Sequence, residues 1–190
     1  MKALSYFLVS VLYVAVTPVF ALEFNQVRPN ESRLDFSYEQ MSVPMDGRFS
    51  KFNAQLAFDP ARLAKASARI EVDVASIDTG STEADTEVVG KAWFDAKRFP
   101  VVSFVSSGIR ALGGNRYEAS GKLSIKGKNR DVVTPVTFQS SGSKGIFEGA
   151  FAIRRLDYGI GEGAWADVSA VADEVKIKFR IVVYAAPAKK

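Results

Sequence analysis

The sequence contains neither histidine nor cysteine. The first absence removes Ser-His and Cys-His nucleophile pairs and imidazole metal sites, and the second removes disulfides, thiolates and zinc knuckles. Much of common enzyme chemistry goes with them. Tryptophan and methionine are scarce, at 2 and 3 in 190 residues, so the aromatic surface comes mainly from 14 phenylalanines and 6 tyrosines. Rings in that number need a packed core or an apolar cavity to sit in. With 47% hydrophobic and 24% charged residues the chain is an ordinary globular one, neither disordered, collagenous nor coiled-coil, and one domain is the default.

Residues 1–21 read as a secretory signal peptide. Lys2 precedes an apolar run from Tyr6 to Val16, and Thr17-Pro18 breaks the helix ahead of the small-residue end Val19-Phe20-Ala21. Cleavage is expected after Ala21, leaving residues 22–190 as a single exported domain. The alternative is an uncleaved anchor, because Ala3–Ala21 would span ~28 Å as a helix. Pro, Ser and Thr within the run, and the lack of a charged stop behind it, argue against that. Cleavage removes only Lys2, so the net charge falls from +4 to +3. So small a surplus does not read as nucleic-acid binding. It does suit contact with an anionic membrane surface, where each well-placed basic side chain contributes on the order of 1 kcal/mol.

Beyond residue 30 the hydrophobic pattern has period two. Leu34, Phe36 and Tyr38 alternate with polar neighbours, as do Phe52, Ala54, Leu56 and Phe58, then Ile70, Val72 and Val74, then Tyr117, Ala119, Gly121, Leu123 and Ile125. The clearest run places Val175, Ile177, Phe179, Ile181 and Val183 on one face and Lys176, Lys178 and Arg180 on the other. Phe49 is out of phase with Phe52, which predicts a bulge near Ser50. Three less regular runs, 101–112, 132–139 and 146–154, bring the total to eight strands, separated by Gly-, Asn- and Pro-rich turns too short for crossover helices. Neighbours should therefore be antiparallel. One segment differs: Thr82 can cap a helix over about 82–93, whose apolar positions Val88, Val89 and Trp93 must be buried on the sheet or across an open barrel end.

The fold class expected is all-β: one antiparallel sheet that hides its dry face by closing into an eight-stranded antiparallel β-barrel or by folding into a sandwich, with one short covering α-helix. Eight strands is the size at which a barrel is filled by its own side chains or holds one small ligand. The interior candidates are Phe36, Tyr38, Phe52, Leu56, Phe58, Val72, Phe104, Tyr117, Leu123, Phe138, Phe151 and Phe179, and the small residues Ala54, Ala119 and Gly121 would leave room along one wall. A barrel ~25 Å long fits a long hydrocarbon chain. Burying ~15 of its carbons at ~0.8 kcal/mol each offsets the roughly 4–15 kcal/mol that association costs. A core filled by the aromatic rings alone is the competing reading at this point.

Several stretches together resemble the YceI-like family of exported polyisoprenoid-binding proteins: Gly47-Arg48-Phe49-Ser50-Lys51-Phe52 with Phe58-Asp59-Pro60; Ser76-Ile77-Asp78-Thr79-Gly80; Trp93-Phe94-Asp95 with Phe99-Pro100; Gly121-Lys122-Leu123-Ser124-Ile125-Lys126-Gly127; and Arg155-Leu156-Asp157-Tyr158-Gly159-Ile160-Gly161. They occur in the family's order over nearly all of residues 22–190. The resemblance implies a lipocalin-like eight-stranded barrel, secretion to the periplasm, and a polyisoprenoid or isoprenoid-quinone lipid held inside as the ligand, with no other cofactor, no metal and no catalytic residues. Two departures stand out: Glu87-Val88 where many relatives carry a His-Leu pair, and Trp93 in place of a Phe.

Other constellations carry less. Gly159-Ile160-Gly161-Glu162-Gly163 has the wrong spacing for a dinucleotide loop and reads as a turn needing positive φ. Arg154 and Arg155 are candidates for contact with a polar head group at the barrel mouth; the ordinary alternative is an exposed pair with Asp157. Asp85, Glu87, Asp157, Asp167 and Asp173 are the carboxylates from which a hydrolase would have to draw its pair. The function expected is therefore a non-enzymatic carrier of an isoprenoid lipid, with transient contact with an anionic membrane. A filled-core structural barrel and a carboxylate-dependent hydrolase are the alternatives, and a homodimer is left open.

Overall fold

The computed structural model describes residues 22–186. The signal-peptide reading of residues 1–21 and the last four residues of the expected domain lie outside them. Eleven strand segments form one antiparallel sheet: β1 (Phe24–Val27), β2 (Arg33–Gln40), β3 (Val43–Phe49), β4 (Phe52–Ala57), β5 (Ser67–Asp73), β6 (Ile77–Asp78), β7 (Val101–Gly113), β8 (Arg116–Ile125), β9 (Lys128–Ser141), β10 (Lys144–Arg154) and β11 (Glu174–Ala185). The long strands β7 to β10 are joined by two-residue connections. In one of them, Lys126-Gly127, both residues have positive φ (49° and 74°), which matches the right-handed twist of the strands they join.

Eleven segments and eight expected strands are reconciled at two interruptions. β3 runs into β4 across Ser50-Lys51, where the phase of Phe49 predicts a bulge, and β5 runs into β6 across Val74–Ser76. The two breaks bond to each other: Ser50 N–H donates to the Ser76 carbonyl at 3.0 Å, Lys51 N–H to Ser76 Oγ at 3.0 Å, and Asp73 N–H to the Lys51 carbonyl at 3.1 Å. The hydrogen-bond path runs β4-β5-β7-β8-β9-β10-β11-β2-β3-β6, and each of its ends continues in the chain as the other end's neighbour. The ladder therefore closes as eight strands around an interior, which removes the exposed edges an open sheet would have to cover.

β1 lies outside this ring and seals one end. Phe24 exchanges backbone hydrogen bonds with Phe58 (2.8 and 3.1 Å) and pairs with Ala185 of β11. Its ring meets Phe138 at 5.0 Å, and Phe58, Phe138 and Phe147 form a triad with centroids 4.5–4.9 Å apart. That aromatic plug closes the barrel floor. β11 extends past the alternating run that ends at Val183: Ala185 is buried, and its N–H donates to the Ser143 carbonyl at 2.8 Å.

The opposite end carries the helix. α1 spans Thr82–Val88, shorter than the expected 82–93. Its N-cap is Ser81, one residue earlier than expected, with Oγ accepting from Ala84 N–H at 3.4 Å. Beyond Val88 the chain turns back: Gly90 N–H donates to the Glu87 carbonyl, Phe94 N–H to Val88 and Asp95 N–H to Gly90. The i, i+4 spacing of Val89 and Trp93 reads as helical, but a glycine between them and a left-handed Asp95 (φ 51°) make it a compact turn that still buries Trp93.

The apolar cavity and its rim

The barrel encloses a cavity of about 980 Å³. That lies near the top of the ~300–1,000 Å³ range of ligand sites. At roughly 30 Å³ per atom-sized group it has room for about 30 heavy atoms, the carbon count of a six-isoprene tail. Of the twelve interior candidates, ten line it: Phe36, Tyr38, Leu56, Phe58, Val72, Phe104, Tyr117, Leu123, Phe151 and Phe179. Phe138 does not, because it is the floor of the plug. Phe52 also does not, because it wedges between the two halves of the core.

Three of the lumen rings are folded over glycines of the wall, which keeps them out of the bore. Phe36 covers Gly47, Phe104 covers Gly121 and Phe179 covers Gly149, each so closely that a Cβ on the glycine would collide with the ring. The sequence reading has Gly121 supplying the room. The structure corrects this: Phe104 occupies that space, and the glycine instead lets the ring press against the sheet. The rest of the lining comes partly from the same alternating runs, as with Leu34, Ile70 and Ile177, and partly from residues outside them, among them Met45, Val102, Ile109, Thr134 and Ile153.

Arg155 is 1% exposed and lines the cavity beneath Trp93, with its guanidinium carbon 5.6 Å from the ring. All its donors are engaged. Nε donates to the Ala172 carbonyl, Nη1 to Ile160 and Gly161, and Nη2 to Trp165 and Val171, at 2.7–3.1 Å. Burial pulls its pKa down, with Asp173 opposing that shift. The head-group contact expected of Arg155 is therefore corrected: no N–H is left for a ligand, and the side chain instead ties residues 160–172 over the barrel end. The glycine-rich run has its purpose here. Gly159 and Gly161 take positive φ (68° and 78°), and a Cβ on Gly161 would collide with Nη1. Arg154 fails as a head-group contact for another reason. It points outward and pairs with Asp173, not Asp157, at 2.7 Å.

The rim toward α1 holds most of the polar lining: Gln40, Thr79, Ser81, Glu83, Thr86 and Glu87. Among the described residues, the remaining aliphatic hydroxyls of the lining are those of exposed Ser67, by the β4–β5 turn, and buried Thr134. Glu87 Oε1 accepts from Trp165 Nε1 at 2.8 Å, and the Trp165 ring lies 5.4 Å from that of Trp93. Both positions at which the sequence departs from its family resemblance thus meet at Trp165. Burial, then the Asp85 carboxylate, holds the Tyr38 phenol above its ordinary pKa, so it stays a protonated donor. Of the other candidate carboxylates, Asp157 is exposed and its side chain makes no hydrogen bond among the described residues, and the remaining three serve local structure. Asp85 accepts from Thr79 N–H and Oγ1 (both 2.7 Å), Asp167 from Ser169, and Asp173 from Arg154 and Leu156 N–H. Asp78 Oδ1 accepts from Gly80 N–H in the turn that leads into α1.

Comparison with known proteins agrees with this geometry. A YceI-like domain matches residues 26–183. A UPF0312 protein of Pseudomonas fluorescens is 29% identical over 138 residues, 66% of this chain and 70% of the relative, and one of Vibrio cholerae is 27% identical over 135 residues, 68% of each. The crystal structure of Burkholderia cenocepacia BcnA superposes with TM-score 0.81 at 46% identity, covering 83% of this chain and 99% of BcnA. A polyisoprenoid binding domain from Saccharophagus degradans superposes with TM-score 0.68 at 15% identity over 87% of this chain and 99% of that domain, a likeness of fold. The closed eight-stranded ladder, the lumen and the family match together establish that this chain belongs to the YceI-like family.

Proposed function

We propose that the protein is a periplasmic carrier whose lumen holds the tail of a long isoprenoid lipid or isoprenoid quinone and which performs no covalent chemistry. The observation that carries this reading is the apolar cavity of about 980 Å³, with three of its rings folded over glycines of the wall. Desolvating a tail there at ~0.8 kcal/mol per methylene supplies affinity without a strong polar contact, so selectivity among tails follows length and shape. A fold shared with a domain described as polyisoprenoid-binding, and an interior without His or Cys, support it. A filled-core barrel does not fit an open lumen of this size.

In this reading the chain is exported and cut after Ala21. Lys176 and Lys178 on the outer face of β11 then meet anionic bilayers during loading and release. The test is mass spectrometry of an organic extract of purified protein. A prenyl lipid at about one per chain, on a protein beginning at Leu22, is the expected result. An empty extract, combined with failure to retain added prenyl lipid, would sink the proposal.

A further inference from the structure

Among the described residues, only three charged side chains line the cavity: Glu83, Glu87 and Arg155. The cation is closed to ligands, because each of its N–H groups already serves a backbone carbonyl and the chain around it leaves no space. The two anions are not closed off in this way: Glu87 accepts one hydrogen bond, from Trp165 Nε1, and Glu83 has none among the described residues. Glu83 and Glu87 sit one turn apart on α1, so they share a face, and both are exposed at the rim. Asp85, on the same helix, adds a third carboxylate beside Thr79 and near Tyr38. Uncharged donors share the lining with them. The Tyr38 phenol lines the cavity, and the side-chain amide of Gln40, half-buried in the lining, has no hydrogen bond among the described residues.

We propose that this rim makes the site selective for lipids whose head is uncharged and carries an acceptor oxygen, and that it rejects prenyl phosphates of the same tail. The inference rests on the carrier reading above and narrows its ligand class. A phosphate seated at the rim would face two carboxylates with no free cation among the described lining residues to answer it. At about 8 Å, with the effective dielectric of a partly wet site and physiological screening, the combined repulsion weakens binding by about tenfold. A carbonyl or hydroxyl oxygen meets no such repulsion and can accept from Gln40 or Tyr38. Prenyl alcohols and prenylated quinones share that chemistry.

The experiment compares three probes on delipidated protein: a four-isoprene alcohol, its monophosphate, and a benzoquinone with the same tail. The alcohol and quinone are expected to bind about tenfold more tightly than the monophosphate. In the E83Q/E87Q double variant that ratio should shrink to about threefold or less, and high salt should shrink it in the unmodified protein. The amide oxygen introduced by E87Q can still accept from Trp165 Nε1, and the melting profile checks that the variant is folded. Equal or tighter binding of the monophosphate, or a ratio that survives the double substitution, overturns the inference. Retention of none of the three probes overturns the carrier reading and this inference with it. That pattern is distinct from binding without discrimination.

Discussion

The ring of Phe179 on β11 lies across Gly149, its direct partner on β10, so closely that a methyl group on the glycine would collide with the ring. The Pro135 carbonyl closes the same space from the other side. Gly149→Ala should therefore lift the ring into the lumen, with a destabilisation of about 1–3 kcal/mol. Denaturant unfolding measures the cost. Retention of a long prenyl probe measures the lumen, and it should fall more for long tails than for short ones. Unchanged retention of every tail would show that the ring does not set the bore.

Arg155 organises residues 160–172 through five carbonyl contacts. Replacing it with Met fills similar volume but leaves buried carbonyls without donors, and about 3–5 kcal/mol of stability should be lost. Hydrogen exchange should report the loss first at residues 159–172. If those amides stay as protected as the barrel strands, the guanidinium is not what holds the segment down.

Stability should be flat from about pH 5.5 to 8, since no imidazole titrates there. Acid is different. The hydrogen bond from Arg62, aided by Ala61 N–H and opposed by burial, holds the Asp59 carboxyl below the usual carboxylate range, and the Lys126 ammonium does the same to Glu162. Carboxyls depressed in the folded state contribute stability that is present above their unfolded pKa and lost as pH falls through the folded one, below about pH 4. Asp59→Asn should shallow that acid slope in a pH series of melting curves. A slope unaffected by the substitution would count against Arg62 as the cause.

Lys176 and Lys178 are exposed on the outer face, whereas Arg180, which the alternation places on that same face, pairs with Glu148 at 3.2 Å and donates to the Glu31 carbonyl. Charge reversal at Lys176 and Lys178 should lower co-sedimentation with anionic vesicles severalfold at low salt. Reversal of Arg180 should act mainly on stability. Sedimentation indifferent to Lys176 and Lys178 would remove the membrane contact from the proposal.

Period-two alternation alone was enough to place Phe36, Val72, Leu123 and Phe179 on the inner wall, because a strand offers a side chain only two faces and water decides between them. The turns, the antiparallel order and the interruption near Ser50 were legible for the same local reason. What the chain could not announce is everything that depends on which strand lies beside which. That Phe138 plugs the floor while Phe151 lines the lumen depends on position along the barrel axis, not on facing. That Gly121 seats a ring instead of leaving a gap depends on Phe104 of the neighbouring strand. Arg155 reads as a free cation at a mouth until the fold brings carbonyls from Ile160 to Ala172 around it, because a charged side chain's partners are set by long-range closure and not by its neighbours in sequence.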